Sequence, residues 1–143
     1  MISSAALDKL EFQKVILQIS KYCSTDNGKA SVLGTLPFEN KDDAVTSGLR
    51  VSEAKEILIK NDIPPIEYLP DLNEVLSKSR IEGTILSTRQ ILDVYKLAES
   101  SRKVYQFLKS KEGEVHHLSS ILNQLFVDKV FEHHFIKIFT ENG

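Results

Sequence analysis

The sequence contains one cysteine, no tryptophan, six glycines and four prolines in 143 residues. Cys23 has no second cysteine to pair with, so no internal disulfide framework holds this chain together, as fits a reducing compartment. Scarce glycine and proline exclude collagen-like and low-complexity architectures. No apolar run approaches the roughly 18 residues that cross a bilayer. Asp8 and Glu11 also interrupt the stretch where a secretory signal needs an uncharged core. A cytoplasmic protein without a membrane partner is expected. Charge of one sign is lacking too: 18 basic side chains face 20 acidic ones, a net charge of -2, so no chain-wide phosphate-binding surface is encoded. The 41% of hydrophobic residues are spread along the chain, as in one globular domain over residues 1–143.

The hydrophobic spacing is helical throughout. Ser3 or Ser4 can cap a first helix carrying Leu7 and Leu10, and a phase change between Leu10 and Phe12 predicts a bend. Phe12, Val15, Ile16, Ile19, Tyr22 and Cys23 then share one helix face, with Cys23 read as a small buried filler. Thr25 and Asp26 open a shorter helix with Ala30, Val32, Leu33 and Leu36, which Pro37 stops. Asn40 caps a helix over residues 41–60, with Asp42 and Asp43 in its first turn and an apolar side of Val45, Leu49, Val51, Ala54, Ile57 and Leu58.

Pro64 and Pro65 make the clearest internal break, near residues 61–68. Helical spacing resumes over residues 69–81 and stops at Gly83. Ser87 caps the longest element, residues 88–111, whose stripe of Ile91, Val94, Leu97, Ala98, Ser101, Val104, Tyr105 and Leu108 must be buried. Residues 115–126 and 129–139 supply two further amphipathic segments, the second carrying Val130, Phe131, Phe135, Ile136 and Phe139. The prediction is all-α: an elongated helical bundle of six or seven helices and no sheet.

Chemistry-bearing patterns are sparse. His116-His117 and His133-His134 are adjacent pairs, but neighbouring helix residues point about 100° apart, so each pair offers at most one ligand to a given metal. The expectation is therefore no metal site and no catalytic residue. No glycine-rich phosphate loop and no nucleophile motif occurs. One segment is mildly basic: residues 73–111 hold eight Lys or Arg against four Asp or Glu, a local balance of +4. Within it Arg89, Lys96 and Lys103 recur every seven residues, with Lys111 one further step on. They form a candidate nucleic-acid stripe opposite the apolar one, and a solvated helix face explains them equally well.

Several landmarks recur in order. They are Leu10-Glu11-Phe12, Gly28-Lys29, Glu53-Ala54, Pro64-Pro65, Leu69-x-Asp71-Leu72, Gly83 leading into Leu86-Ser87, and a terminal Glu141-Asn142-Gly143. In this arrangement the chain resembles the N-terminal region of the second bacterial branch of the MutS family, MutS-two. The resemblance covers nearly all of the chain and implies a MutS core and lever fold in a fragment. It implies a parent with an ATPase that binds ATP and magnesium, often an endonuclease domain, homodimerisation, branched-DNA binding in recombination suppression and repair, and ribosome rescue. The ATPase and nuclease segments of that family have no counterpart here. The expectation is a noncatalytic core and lever fragment, without a cofactor of its own, that relays ATPase state to a nucleic-acid clamp. A stand-alone helical protein-interaction module is the alternative.

Overall fold

The computed structural model describes residues 3–141. Asn142, Gly143 and the side chain of Phe139 lie outside the described residues, so the terminal landmark and that part of the last apolar face are not placed. Seven α-helices and one 3-10 helix occur among the described residues: α1 (Ser4–Lys9), α2 (Phe12–Ser20), α3 (Asp26–Leu33), α4 (Lys41–Ile59), α5 (Asn73–Lys78), α6 (Thr88–Ser110), the 3-10 helix (Leu118–Gln124) and α7 (Lys129–Glu141). No strand forms among these residues; an isolated parallel bridge joins Thr25 to Leu69. The all-α expectation therefore holds.

The starts of the helices are written in side-chain oxygens. Ser3, Thr25, Asn40 and Ser87 each occupy the residue before a helix and accept a backbone N–H from its first turn. Ser87 and Gln90 complete a reciprocal capping box. The bend before Phe12 is real: Glu11 adopts φ 52, a left-handed conformation that breaks α1 from α2. At Gly28 a Cβ would stand 2.8 Å from the Thr25 Oγ1 that caps the same helix, so a larger residue there would have to shift that hydroxyl. Gly83 has φ 82, a left-handed turn that glycine adopts without strain.

Two segments differ from the sequence expectation. The helix expected over 69–81 is confined to α5, because Leu69 pairs with Thr25 and accepts the Asp26 N–H at 3.1 Å, while Pro70 has no N–H to give. The amphipathic stretch 115–126 winds as a 3-10 helix entered through the backbone amides of His116, His117 and Leu118. All three donate to the carboxylate of Glu53 on α4, at 2.8 to 3.0 Å. The first amides of a helix have no partner within it, so Glu53 acts as a cap supplied from α4 to the start of the 3-10 helix.

Helix α6 is the axis of the rest. Its predicted stripe is buried or half-buried throughout, and the 3-10 helix and α7 pack against it. Tyr95 stacks on Phe135 with ring centres 4.9 Å apart, and Phe131 lies 6.0 Å from Phe135. Between α6 and α7, Arg102 Nε donates to both carboxylate oxygens of Glu132 at 2.8 and 2.9 Å, and Glu132 is buried. The α1–α3 layer joins this body through the Thr25–Leu69 bridge and the Tyr68–Asp26 hydrogen bond. The apolar side expected of α4 is mostly open: Ile57 is buried and Ala54 half-buried, whereas Val45, Leu49, Val51 and Leu58 are exposed.

Burial pushes the Glu53 carboxyl upward, but the amides of His117, Leu118 and His116 outweigh it and hold the group below the ordinary glutamate range. A carboxyl more acidic folded than unfolded contributes its full stabilisation above the ordinary glutamate value. That contribution is lost as pH falls through the lower folded value. Glu53→Gln is expected to lose roughly 1–3 kcal/mol at pH 7. In urea titrations the gap between the two proteins should narrow on acidification, and a gap of the same size at pH 7 and pH 3 would refute this account. The Arg102–Glu132 pair makes a separate prediction. Glu132→Ala, which strands a half-buried guanidinium, should cost about 3 kcal/mol, and more than the paired Arg102→Leu/Glu132→Leu change. Equal urea midpoints for single and double variants would contradict it.

Candidate nucleic-acid interface

The capped start of α6 fixes the rotation of its first turns, and the buried stripe fixes the rest, so the basic residues fall on a defined side. Arg89 is 92% exposed, and its Nε stands 4.0 Å from Asp93 one turn on. Lys96 is exposed and makes no ion pair among the described residues. Lys103 is half-buried, with Nζ 3.2 Å from Glu99 and 3.4 Å from Glu67. The hydrogen bond to Glu99 raises the Lys103 pKa above the ordinary lysine value, with Glu67 adding to it. Lys111, just past the helix, is half-buried and paired with Asp62.

Arg89, Lys96 and Lys103 thus lie along one side of α6 with Lys111 just past its end, and this side is open only as far as Lys96. Over its second half lies the connector between α4 and α5, residues 61–72, which contains no helix. Glu67, Tyr68 and Leu69 of the connector enclose a small cleft with Lys96, Ser100 and Lys103. Its ends are anchored by buried Ile57 before it and by Leu69 and Leu72 within it, whereas Ile63, Ile66 and Glu67 between them are exposed. Lys60 and Glu114 add a hydrogen-bonded pair at 2.6 Å beside the Asp62–Lys111 pair, and each holds the other in its charged form.

The local surplus of +4 in residues 73–111 has a counterpart in the structure. Four acids from outside that segment pair with its cations: Asp62 with Lys111, Glu67 with Lys103, Glu112 with Lys109, and Glu132 with Arg102. Counting charges along the chain shows the surplus but not these partners, which come from 3 to 49 residues away.

The histidine pairs do not converge. His116 and His117 use backbone amides to hold Glu53, and His133 and His134 lie on α7 with their rings 6.1 Å apart. Among the described residues no group of three or more His, Cys, Asp or Glu side chains could hold a metal ion. Cys23 is half-buried. No helix is long and apolar enough to cross a membrane. An open apolar groove of about 620 Å³ lies between α5, α6 and the entry to α7, lined by Leu76, Val94, Leu97, Ala98, Phe126 and Phe131. Sequence reasoning missed Glu53 and Glu132 as joints. Glu53 was visible as part of a landmark, but nothing in its spacing pointed to amides 63 to 65 residues away.

No family model and no solved structure matches the chain. Curated relatives do. Endonuclease MutS2 of Clostridium botulinum (strain Eklund 17B / Type B) is 33% identical over 114 residues, which is 80% of this chain and 14% of that protein. Endonuclease MutS2 of Clostridium beijerinckii is 34% identical over 113 residues, 79% of this chain and 14% of that protein. The Halothermothrix orenii protein of the same name is 26% identical over 129 residues, 87% of this chain and 16% of its own length. With about a third of the aligned residues identical across four fifths of its length, the chain is homologous to these MutS2 proteins and spans about one seventh of their length, consistent with a fragment of a MutS2-type protein.

Proposed function

We propose that this chain is a noncatalytic core and lever piece of a MutS2-type, DNA-acting ATPase in the cytoplasm. In this reading it transmits the state of an ATPase dimer to a nucleic-acid clamp, and Arg89, Lys96, Lys103 and Lys111 lie along the nucleic acid. The targets reached through the parent are branched DNA in recombination suppression and repair, or the ribosome in rescue. ATP and magnesium belong to the remainder of such a parent.

The observation that carries the reading is the surface. The chain exposes 10,749 Å², where a compact monomer of 16.2 kDa exposes about 7,450 Å². The excess includes the open side of α4 and the groove beside α6, where apolar area awaits a covering. A scaffold segment embedded in a protein about seven times longer has that character.

Two measurements test it. The chain alone, given ATP with magnesium or a branched DNA, should neither hydrolyse nor cleave above buffer; turnover that survives repurification would overturn the noncatalytic reading. Binding of the chain to a DNA four-way junction should be weak and salt-labile. The Arg89→Glu/Lys96→Glu/Lys103→Glu variant should lose it, with the slope of log K against log salt falling by about 0.9 per lost contact. An unchanged slope removes this face from the function.

A further inference from the structure

The exposed middle of the connector has few apolar anchors, yet it carries two carboxylates placed on two lysines of the stripe, Asp62 on Lys111 and Glu67 on Lys103. Two prolines keep this stretch out of a helix, with one tight turn where the Ile66 N–H donates to the Pro64 carbonyl at 2.8 Å, and its acids stand five residues apart on lysines eight residues apart. A non-helical backbone bearing spaced negative charges along a helix is also how a nucleic-acid strand would meet this face.

We propose that the connector is an internal polyanion mimic that gates the stripe. Closed, it covers Lys103 and Lys111 and leaves Arg89 and Lys96 as the landing points. A phosphate backbone that arrives there displaces Asp62 and Glu67 and engages the full row. The proposal rests on the reading of the stripe as a nucleic-acid contact and adds its regulation.

The geometry makes displacement accessible. Glu67 is 69% exposed at its side chain and Lys103 is shared with Glu99, so this contact is a surface pair of the weak kind. Asp62–Lys111 is more enclosed, with 38% and 20% of the side chains exposed, and opens second. Leu69 and Leu72 stay buried in either state and keep the connector tethered, so the acids remain beside the row as competitors rather than diffusing away.

The test uses the whole 143-residue chain and a fluorescent DNA four-way junction in low salt. Asp62→Asn/Glu67→Gln should bind roughly five- to tenfold more tightly than the parent sequence, the fold-change of two freed surface pairs. In the unaltered chain, amide hydrogen exchange across residues 62–68 should quicken when the junction is added. Three outcomes decide. If the double variant binds no more tightly while Arg89→Glu/Lys96→Glu/Lys103→Glu loses binding, the gate is wrong and the stripe stands. If charge reversal of the stripe leaves binding unchanged, the stripe and the gate both fall. If the double variant does not fold by circular dichroism, the exchange measurement decides, and unchanged or slower exchange at 62–68 overturns the gate.

Discussion

Helix α6 and its flanks hold four more positive than negative charges, and the fold is arranged around the acids that neutralise them. A helix with a broad apolar stripe on one side needs neighbours there, but charge on the remaining sides decides which backbone can pass alongside. Glu132 enters from α7, where it is buried and takes both oxygens to one guanidinium nitrogen. Glu67 and Asp62 enter from the connector, at the other side of the same helix. The first pair is enclosed, so losing either partner strands a charge. The connector pairs lie nearer water, so they steer the chain at modest cost if broken. One helix is thereby fixed firmly to α7 and loosely to the connector.

The landmarks on which the family resemblance was read turn out to be joints. Glu11 turns α1 into α2, Gly28 makes room for a cap, and Glu53 gathers three amides from a distant turn. Asp71 accepts the Asn73 N–H at the start of α5, Leu69 and Leu72 anchor the connector, and Gly83 supplies a left-handed turn before the Ser87 cap. None of these residues gathers with others into a reactive constellation. Each acts at a helix start, a turn or a contact between two elements.

Local chemistry was legible in the sequence and long-range chemistry was not. The cap oxygens of Ser3, Thr25, Asn40 and Ser87 act within three residues, so their helix starts could be read directly. The buried stripe of α6 was legible because its period is a property of one helix. The segment 69–72 misled because its backbone partner, Thr25, lies 44 residues away and overrides local propensity, and the cap that Glu53 supplies to the 3-10 helix was hidden because it lies about 64 residues away. The heptad spacing of Arg89, Lys96 and Lys103 was legible as a property of one helix. The partial coverage of this stripe was hidden, since a carboxylate in a proline-bounded connector carries no mark of the helix it will meet.

The surface excess constrains what such a chain can do alone. Apolar burial is the main favourable term in folding, and here α4 keeps Val45, Leu49, Val51 and Leu58 in water while the groove beside α6 stays open. The buried nonpolar side chains are dispersed: Leu108, Val115 and Leu122 lie from the end of α6 to the 3-10 helix, whereas Phe135 stacks on Tyr95, more than three turns earlier on α6. Polar joints therefore carry an unusual share of the arrangement, and a polar joint is directional where an apolar contact is not. Orientation between helices is thus specified more sharply than compactness.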